Sequence, residues 1–167
     1  MATVGESGAP QKIVTHLWFA KGAEDAARLY ASLIPGSHVD SVTPVPAETP
    51  SGPAGSVRVV EFTLAGQRFI AMEAGPLDPF NHSISLVVNC DDQAELDRIW
   101  NGLAEGGTIE QCGWLRDRWG VAWQIVPAEL GALMRGGDPA RGARVMKAIL
   151  GMKKLDLEGL RRASRGG

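Results

Sequence analysis

The chain has 167 residues, 44% of them hydrophobic, and its 17 Lys and Arg against 19 Asp and Glu give a net charge of −2. This balance excludes a basic nucleic-acid-binding protein and a polybasic membrane-binding protein, and no apolar run approaches the roughly 20 residues that cross a bilayer. Residues 1–11 lack the apolar core and basic flank of a signal peptide, and two cysteines are too few for a disulfide scaffold, so we expect a cytoplasmic protein.

The first half of the chain predicts four strands and one helix after a disordered segment, residues 1–11. Residues 12–19 (KIVTHLWF) are typical of a buried strand. Residues 23–34 carry apolar side chains at helical spacing, and Pro35-Gly36 ends that helix. The remaining strands are predicted at 38–45, 56–64 and 68–74, the last two joined by a tight turn at 65–67.

The second half predicts the same order of elements. A strand at 83–90 leads into a helix at 93–103, for which Asp91-Asp92 offers an N-cap. Strands follow at 108–115 and 121–126, with a turn at 117–120 between them. The tail predicts an amphipathic helix that begins at Asp138-Pro139 and contains Val145, Met146, Ile149 and Leu150, and then a short helix at 157–163.

The two halves match when they are superimposed. Laying Arg28-Leu29-Tyr30 on Arg98-Ile99-Trp100 also lays Thr15 on Ser85, and a second shift lays residues 70–73 on 121–124, hence Glu73 on Gln124. We therefore predict an α+β fold of two tandem βαβββ modules related by a pseudo-twofold axis. The modules are predicted at 12–75 and 76–127, followed by a helical extension at 128–167.

The repeat predicts one polar centre. If each sheet buries one face under its helix, strand alternation leaves the other face for a shared cleft. The polar positions in these otherwise apolar strands are Thr15, Glu73, Ser83, Ser85 and Gln124. The alternative is that Glu73 lies in water at a strand end and that Gln124 lies at a sheet edge.

Histidine, a frequent metal ligand, occurs once inside a predicted strand. His16 follows Thr15 and faces the opposite side of the sheet unless the register slips by one residue. His38 and His82 are predicted at the surface, and no strong metal, nucleotide or serine-hydrolase motif occurs. Several aromatic residues either line a ligand pocket or belong to the core or a dimer interface: Phe69, Trp100, Trp114, Trp119 and Trp123.

Four segments, THLWFAKGAEDAARLYASLIPGS, VEFTLAGQRFIAMEAGP, FNHSISLVVNCDDQAELDRIW and QCGWLRDRWGVAWQIVP, resemble PhnB-like proteins of the vicinal-oxygen-chelate (glyoxalase/bleomycin-resistance/dioxygenase) superfamily. The resemblance implies a cup-shaped mixed sheet with outer helices, a homodimer and a small-molecule ligand. This subgroup is often labelled demethylubiquinone methyltransferase, but the sequence has neither a glycine-rich loop after its first strand nor a doubly wound pattern.

The resemblance also implies a site for a divalent ion (nickel, zinc, manganese or iron) and no other cofactor. Its ligand positions fall on Glu73, Gln124 and either His16 or Thr15, whereas Ser85 is not a credible ligand. Glu73 would be the anionic ligand or base of a lyase, isomerase or dioxygenase-type reaction. Substrate contacts are expected from Thr15, Ser85, Phe69 and Trp123. The alternative is a metal-free protein that sequesters an aromatic compound.

Overall fold

The computed structural model describes residues 11–135 and 138–166, so nearly all of the segment predicted as disordered lies outside the described residues. The chain divides into two compact units that meet in sequence between Asp78 and Pro79. The predicted helical extension belongs to the second unit. Within the described ranges, no helix is both long enough and apolar enough to cross a membrane.

The first unit is a βαβββ module. Its elements are β1 (Thr15–Phe19), α1 (Ala23–Leu33), β2 (His38–Pro44), β3 (Arg58–Leu64) and β4 (Gln67–Glu73). The strands form a mixed sheet in the order β1-β4-β3-β2, with β1 parallel to β4. The predicted order of elements is confirmed.

Helix α1 covers one face of this sheet, and the core of the first unit lies between them. Tyr30 of α1 is fully buried, and its ring lies 6.5 Å from that of Phe62 on β3. Alternate strand residues are buried on the same side: Leu17, Phe19, Val60, Phe62, Phe69 and Ala71. We call the opposite face of each sheet, turned away from its helix, the open face.

The second unit repeats this topology. Its elements are β5 (Leu86–Cys90), α2 (Gln93–Ala104), β6 (Thr108–Ile109), β7 (Trp114–Arg116) and β8 (Ala122–Pro127). The strand order is β5-β8-β7-β6, with β5 parallel to β8. Two similar mixed sheets, each under a helix, confirm the predicted α+β fold.

The predicted single strand at 108–115 is wrong. It is two short strands, β6 and β7, separated by a turn in which Cys112 and Gly113 have φ angles of 62° and 84°. Left-handed backbone at two successive residues cannot continue a strand. This break supplies the third strand that the second βαβββ module needs.

Helix α2 begins and packs as its sequence predicts. The Asp92 side chain accepts a hydrogen bond from the backbone N–H of Glu95 at 2.8 Å, which caps the helix. The four apolar residues of its predicted face are all buried: Leu96, Ile99, Trp100 and Leu103.

In residues 128–135 and 138–166, the extension has three helices: α3 (Leu130–Met134), which was not predicted, α4 (Pro139–Leu150) and α5 (Leu157–Arg165). The predicted cap of α4 is confirmed, because the Asp138 carboxylate accepts from the backbone N–H groups of Ala140 and Arg141.

The segment between α4 and α5 is bonded to the body of the second unit. The carbonyls of Met152 and Lys153 accept from Cys112 and Gly113 of the β6–β7 turn at 2.8 and 2.7 Å. The Gln93 side chain donates to the carbonyl of Leu155 and accepts from the N–H of Leu157, so α2 holds the same segment. The side chain of Leu155 is buried. We call residues 152–157 the docking segment.

Candidate functional site

Glu73, the predicted metal ligand or base, caps a helix. It pairs in register with Phe19 and therefore lies on the face of the sheet that α1 covers. Its Oε2 accepts hydrogen bonds from the backbone N–H groups of Gly22 and Ala23, at 2.6 and 3.2 Å. Gly22 provides no side-chain cap of its own, so a carboxylate from β4 supplies the negative charge that a helix N-terminus favours.

Thr15 and His16 lie on opposite faces of the first sheet. Thr15 pairs with Phe69 and shares the helix-covered face with Glu73, whereas His16 is exposed on the open face beside Ile70. His16 and Glu73 therefore point away from each other across one sheet and do not fit a shared metal ion. In residues 11–135 and 138–166, no three His, Cys, Asp or Glu side chains form a group that could hold a metal.

The structure brings Ser85 and Gln124 together. Gln124 pairs with Val87 on the open face of the second sheet, and its Nε2 donates to the Ser85 Oγ at 2.9 Å. The predicted equivalence of Gln124 with Glu73 is wrong. Counted back from the last pair of each parallel ladder, Gln124 corresponds to Ile70. Of the two symmetry-related pairs expected in the polar centre, Thr15 with Ser85 and Glu73 with Gln124, the open face of the second sheet keeps Ser85 and Gln124, which contact each other.

Phe69 and Trp123, expected to contact substrate, belong to the cores of their units. Phe69 is 4% exposed and stacks on Phe62 with ring centroids 5.3 Å apart. Trp123 is 1% exposed, and its Nε1–H donates to the Oδ2 of Asp117 at 2.9 Å. Both side chains lie on the helix-covered faces because strand alternation puts them there, so neither reaches an open face.

A charged cluster that sequence reasoning missed lies on the open face of the second sheet. The Nε2 of His82 lies 2.7 Å from the Oε2 of Glu110, and the Nε of Arg116 donates to Oε1 of the same carboxylate at 2.9 Å. The imidazole also lies against Trp114, with ring centroids 5.8 Å apart at 50°. His82 was predicted only as a surface residue. The sequence does not predict its contact with Glu110, because His82 lies before β5 and Glu110 lies in the turn after β6.

The cluster and the Ser85–Gln124 pair are neighbours. Trp114 pairs with Gln124 across the β7–β8 ladder and its ring contacts His82, so it neighbours both groups. We call these six residues the second-sheet cluster: His82, Ser85, Glu110, Trp114, Arg116 and Gln124.

Electrostatics keep Glu110 ionised. Partial burial raises its pKa, but the hydrogen bonds from His82 and Arg116 outweigh burial and lower the pKa below its ordinary value of 4.5. An ionised carboxylate only accepts hydrogen bonds, so His82 donates through Nε2. The open face therefore presents an oriented imidazole, an aromatic ring, a guanidinium and an amide–hydroxyl pair.

Comparison with known proteins identifies similar sequences and folds. Residues 11–126 match the profile of the family described as 3-demethylubiquinone-9 3-methyltransferase. A Bacillus cereus structure described as a putative member of that family and a PhnB protein is 34% identical with a TM-score of 0.62; the match covers 71% of this chain and all of that one, 100%. A Pseudomonas aeruginosa protein is 24% identical with a TM-score of 0.55, covering 68% of this chain and 94% of its own.

A more distant structure is the fosfomycin resistance protein FosX from Listeria monocytogenes, solved with Mn(II) and sulfate. It is 14% identical with a TM-score of 0.47, and the match covers 68% of this chain and 87% of that one. At this level of similarity, no residue of this chain is assigned a role from it. No curated protein matches the chain significantly.

Proposed function

Because the chain belongs to the 3-demethylubiquinone-9 3-methyltransferase family and resembles a PhnB protein, we propose that it binds a small planar molecule on the open face of its second sheet. The observation that carries this proposal is the second-sheet cluster. The cluster combines an aromatic surface with hydrogen-bond donors and acceptors. It lies on the face of the second sheet that helix α2 does not cover. Binding sites typically combine apolar surface with a few placed polar groups.

Each part of the cluster supplies one element of recognition. The Trp114 indole offers a stacking surface, and an aromatic pair contributes about 0.5–1.5 kcal/mol beyond the area it buries. Gln124 uses its amide nitrogen for Ser85, which leaves the amide oxygen to accept from a ligand. The Arg116 side chain is 40% exposed, so its charge reaches a bound anion.

Of the predicted metal ligands, the proposed binding uses Gln124 but neither Glu73 nor His16. Glu73 gives one carboxylate oxygen to α1 and lies on the other face of the sheet from His16, so these two residues do not form a chelating pair. A metal-dependent lyase, isomerase or dioxygenase activity would need another set of ligands.

The methyltransferase activity in the family description is not part of the proposal. Nucleotide-derived cofactors are typically held where a glycine-rich loop follows the first strand of a doubly wound parallel sheet. Here β1 leads into α1 through Ala20-Lys21-Gly22, and both sheets are mixed and four-stranded.

The proposal is tested by following tryptophan quenching and thermal unfolding of chelator-treated protein with a panel of planar phenols and heteroaromatic compounds. A ligand at a hundredfold excess over its Kd should stabilise the protein by about 2.7 kcal/mol. Trp114→Ala should abolish this stabilisation by the ligand. His16→Ala is the matched control, because it removes an exposed side chain from the first sheet and should leave binding unchanged. Binding that requires an added divalent ion and disappears in His16→Ala would overturn the proposal.

A further inference from the structure

We propose that His82, oriented by Glu110, takes the acidic proton of a hydroxyl group on the planar ligand, so that the second-sheet cluster selects phenols and enols and binds them as anions. This inference rests on the function proposed above and names its ligand class. The proton acceptor, His82, and the carboxylate that orients it, Glu110, are not among the predicted metal ligands.

The carboxylate fixes which nitrogen of His82 is basic. Glu110 accepts at Oε2 from the Nε2–H of His82, so the neutral imidazole carries its lone pair on Nδ1. Arg116 holds Oε1 of the same carboxylate, so both oxygens of Glu110 are anchored and the carboxylate cannot easily turn away. The result is a proton acceptor whose orientation is set before a ligand arrives.

The aromatic neighbour places a ligand near that acceptor. A flat ring stacked on the exposed part of Trp114 lies beside the imidazole, since the two protein rings are 5.8 Å apart. Gln124, the cross-strand neighbour of Trp114, and Ser85 offer hydrogen-bond partners to a second polar substituent. A planar molecule with an acidic hydroxyl on its edge could therefore contact both the His82 imidazole and the Gln124–Ser85 pair.

The proton transfer is balanced without another reactant. The ligand O–H bond breaks and an N–H bond forms at Nδ1 of His82, which gives an imidazolium and a ligand oxyanion. The charged groups beside this pair are Glu110, which contacts His82 and stabilises the imidazolium, and Arg116, which is bonded to Glu110 and whose exposed guanidinium attracts the oxyanion. The total charge is unchanged, so the equilibrium is set by these local charges.

A second histidine–carboxylate pair offers a matched control. His38 lies 3.1 Å from Asp40 in the first unit, and its side chain is 63% exposed. The other oxygen of Asp40 is held by Thr63 rather than by an arginine. His38 thus has a carboxylate partner of its own, as His82 does, but lies in a different unit from Trp114 and Arg116.

The probe is para-nitrophenol, whose anion absorbs visible light, mixed with the full chain at a pH above the ordinary histidine pKa of about 6.5 and below the pKa of the free phenol. Tryptophan quenching reports binding, and absorbance reports ionisation. Wild type and His38→Gln should bind the probe as phenolate. In His82→Gln and Glu110→Gln the phenolate absorbance should fall, and affinity should weaken about tenfold, as expected for one lost charge-assisted hydrogen bond.

The outcomes separate the two proposals. Phenolate bound equally by His82→Gln would overturn the role of His82 while leaving binding intact. The absence of quenching with wild type would overturn the inference for this probe and, if it extends to the whole panel, the proposed function as well. If His82→Gln does not fold, ring-nitrogen chemical shifts of wild-type His82 decide. The bound probe should protonate both nitrogens, and an unchanged Nδ1 would refute the inference.

Discussion

Glu73→Ala tests whether this carboxylate serves the fold rather than a metal. The substitution removes the acceptor of two backbone N–H groups at the start of α1. Loss of an N-cap costs about 0.5–2 kcal/mol, and loss of a negative charge at a helix N-terminus about 0.3–1 kcal/mol. Glu24 and Asp25 remain in the first turn and keep part of the charge effect, so we expect a loss of about 2 kcal/mol. For a chain of this size that corresponds to a Tm lower by about 4–8 °C.

The assay is urea unfolding followed by circular dichroism, with hydrogen exchange of the α1 amides as the local readout. Glu73→Gln keeps an acceptor oxygen and should lose about half as much stability. Glu48→Ala, in an exposed loop of the same unit, is the matched control and should change the free energy of unfolding by less than about 0.5 kcal/mol. If Glu73→Ala behaves like this control, the capping argument is refuted.

Three further predictions concern the second unit. Asp117→Asn should destabilise it by about 1–3 kcal/mol in urea unfolding, because the amide of Asn cannot accept from both the backbone N–H groups of the turn and the indole of Trp123; wild-type stability would contradict this. Gly107→Ala should cost about 3 kcal/mol or more, since its Cβ would clash with the carbonyl oxygen of Arg116, and an unchanged Tm would refute the clash. Burial, assisted by the charge of Glu95, raises the pKa of Cys90 to about 12, so a thiol reagent should label the half-buried Cys112 first; equal rates in the native protein would count against this.

The order of elements could be predicted from the sequence because local signals there are strong and agree. The apolar spacing of α1 and the stop at Pro35-Gly36 were sufficient to predict the first helix, which ends one residue before its predicted end. The break between β6 and β7 was missed because the left-handed backbone at Cys112 carries no compositional signal. That conformation is held by the docking segment, which lies far along the chain.

The candidate site was harder to predict because side-chain direction depends on register. The sequence alignment of β4 with β8 was shifted by three residues and made Glu73 equivalent to Gln124. The ladders instead place Glu73 on a helix-covered face and Gln124 on an open face. Ser85 and Gln124 were found because both are polar residues in segments predicted as apolar strands, although Ser85 itself lies one residue before β5. His82 and Glu110 were not, since each precedes or follows a strand and their contact depends on a turn.

The docking segment has a consequence for the order in which the protein folds during synthesis. The first unit has all of its strands once Glu73 has left the ribosome, so its sheet can close early. The N–H groups of Cys112 and Gly113 find their acceptors only when Met152 and Lys153 have emerged. We therefore expect the β6–β7 turn of the second unit to become fully hydrogen-bonded only after the docking segment has left the ribosome.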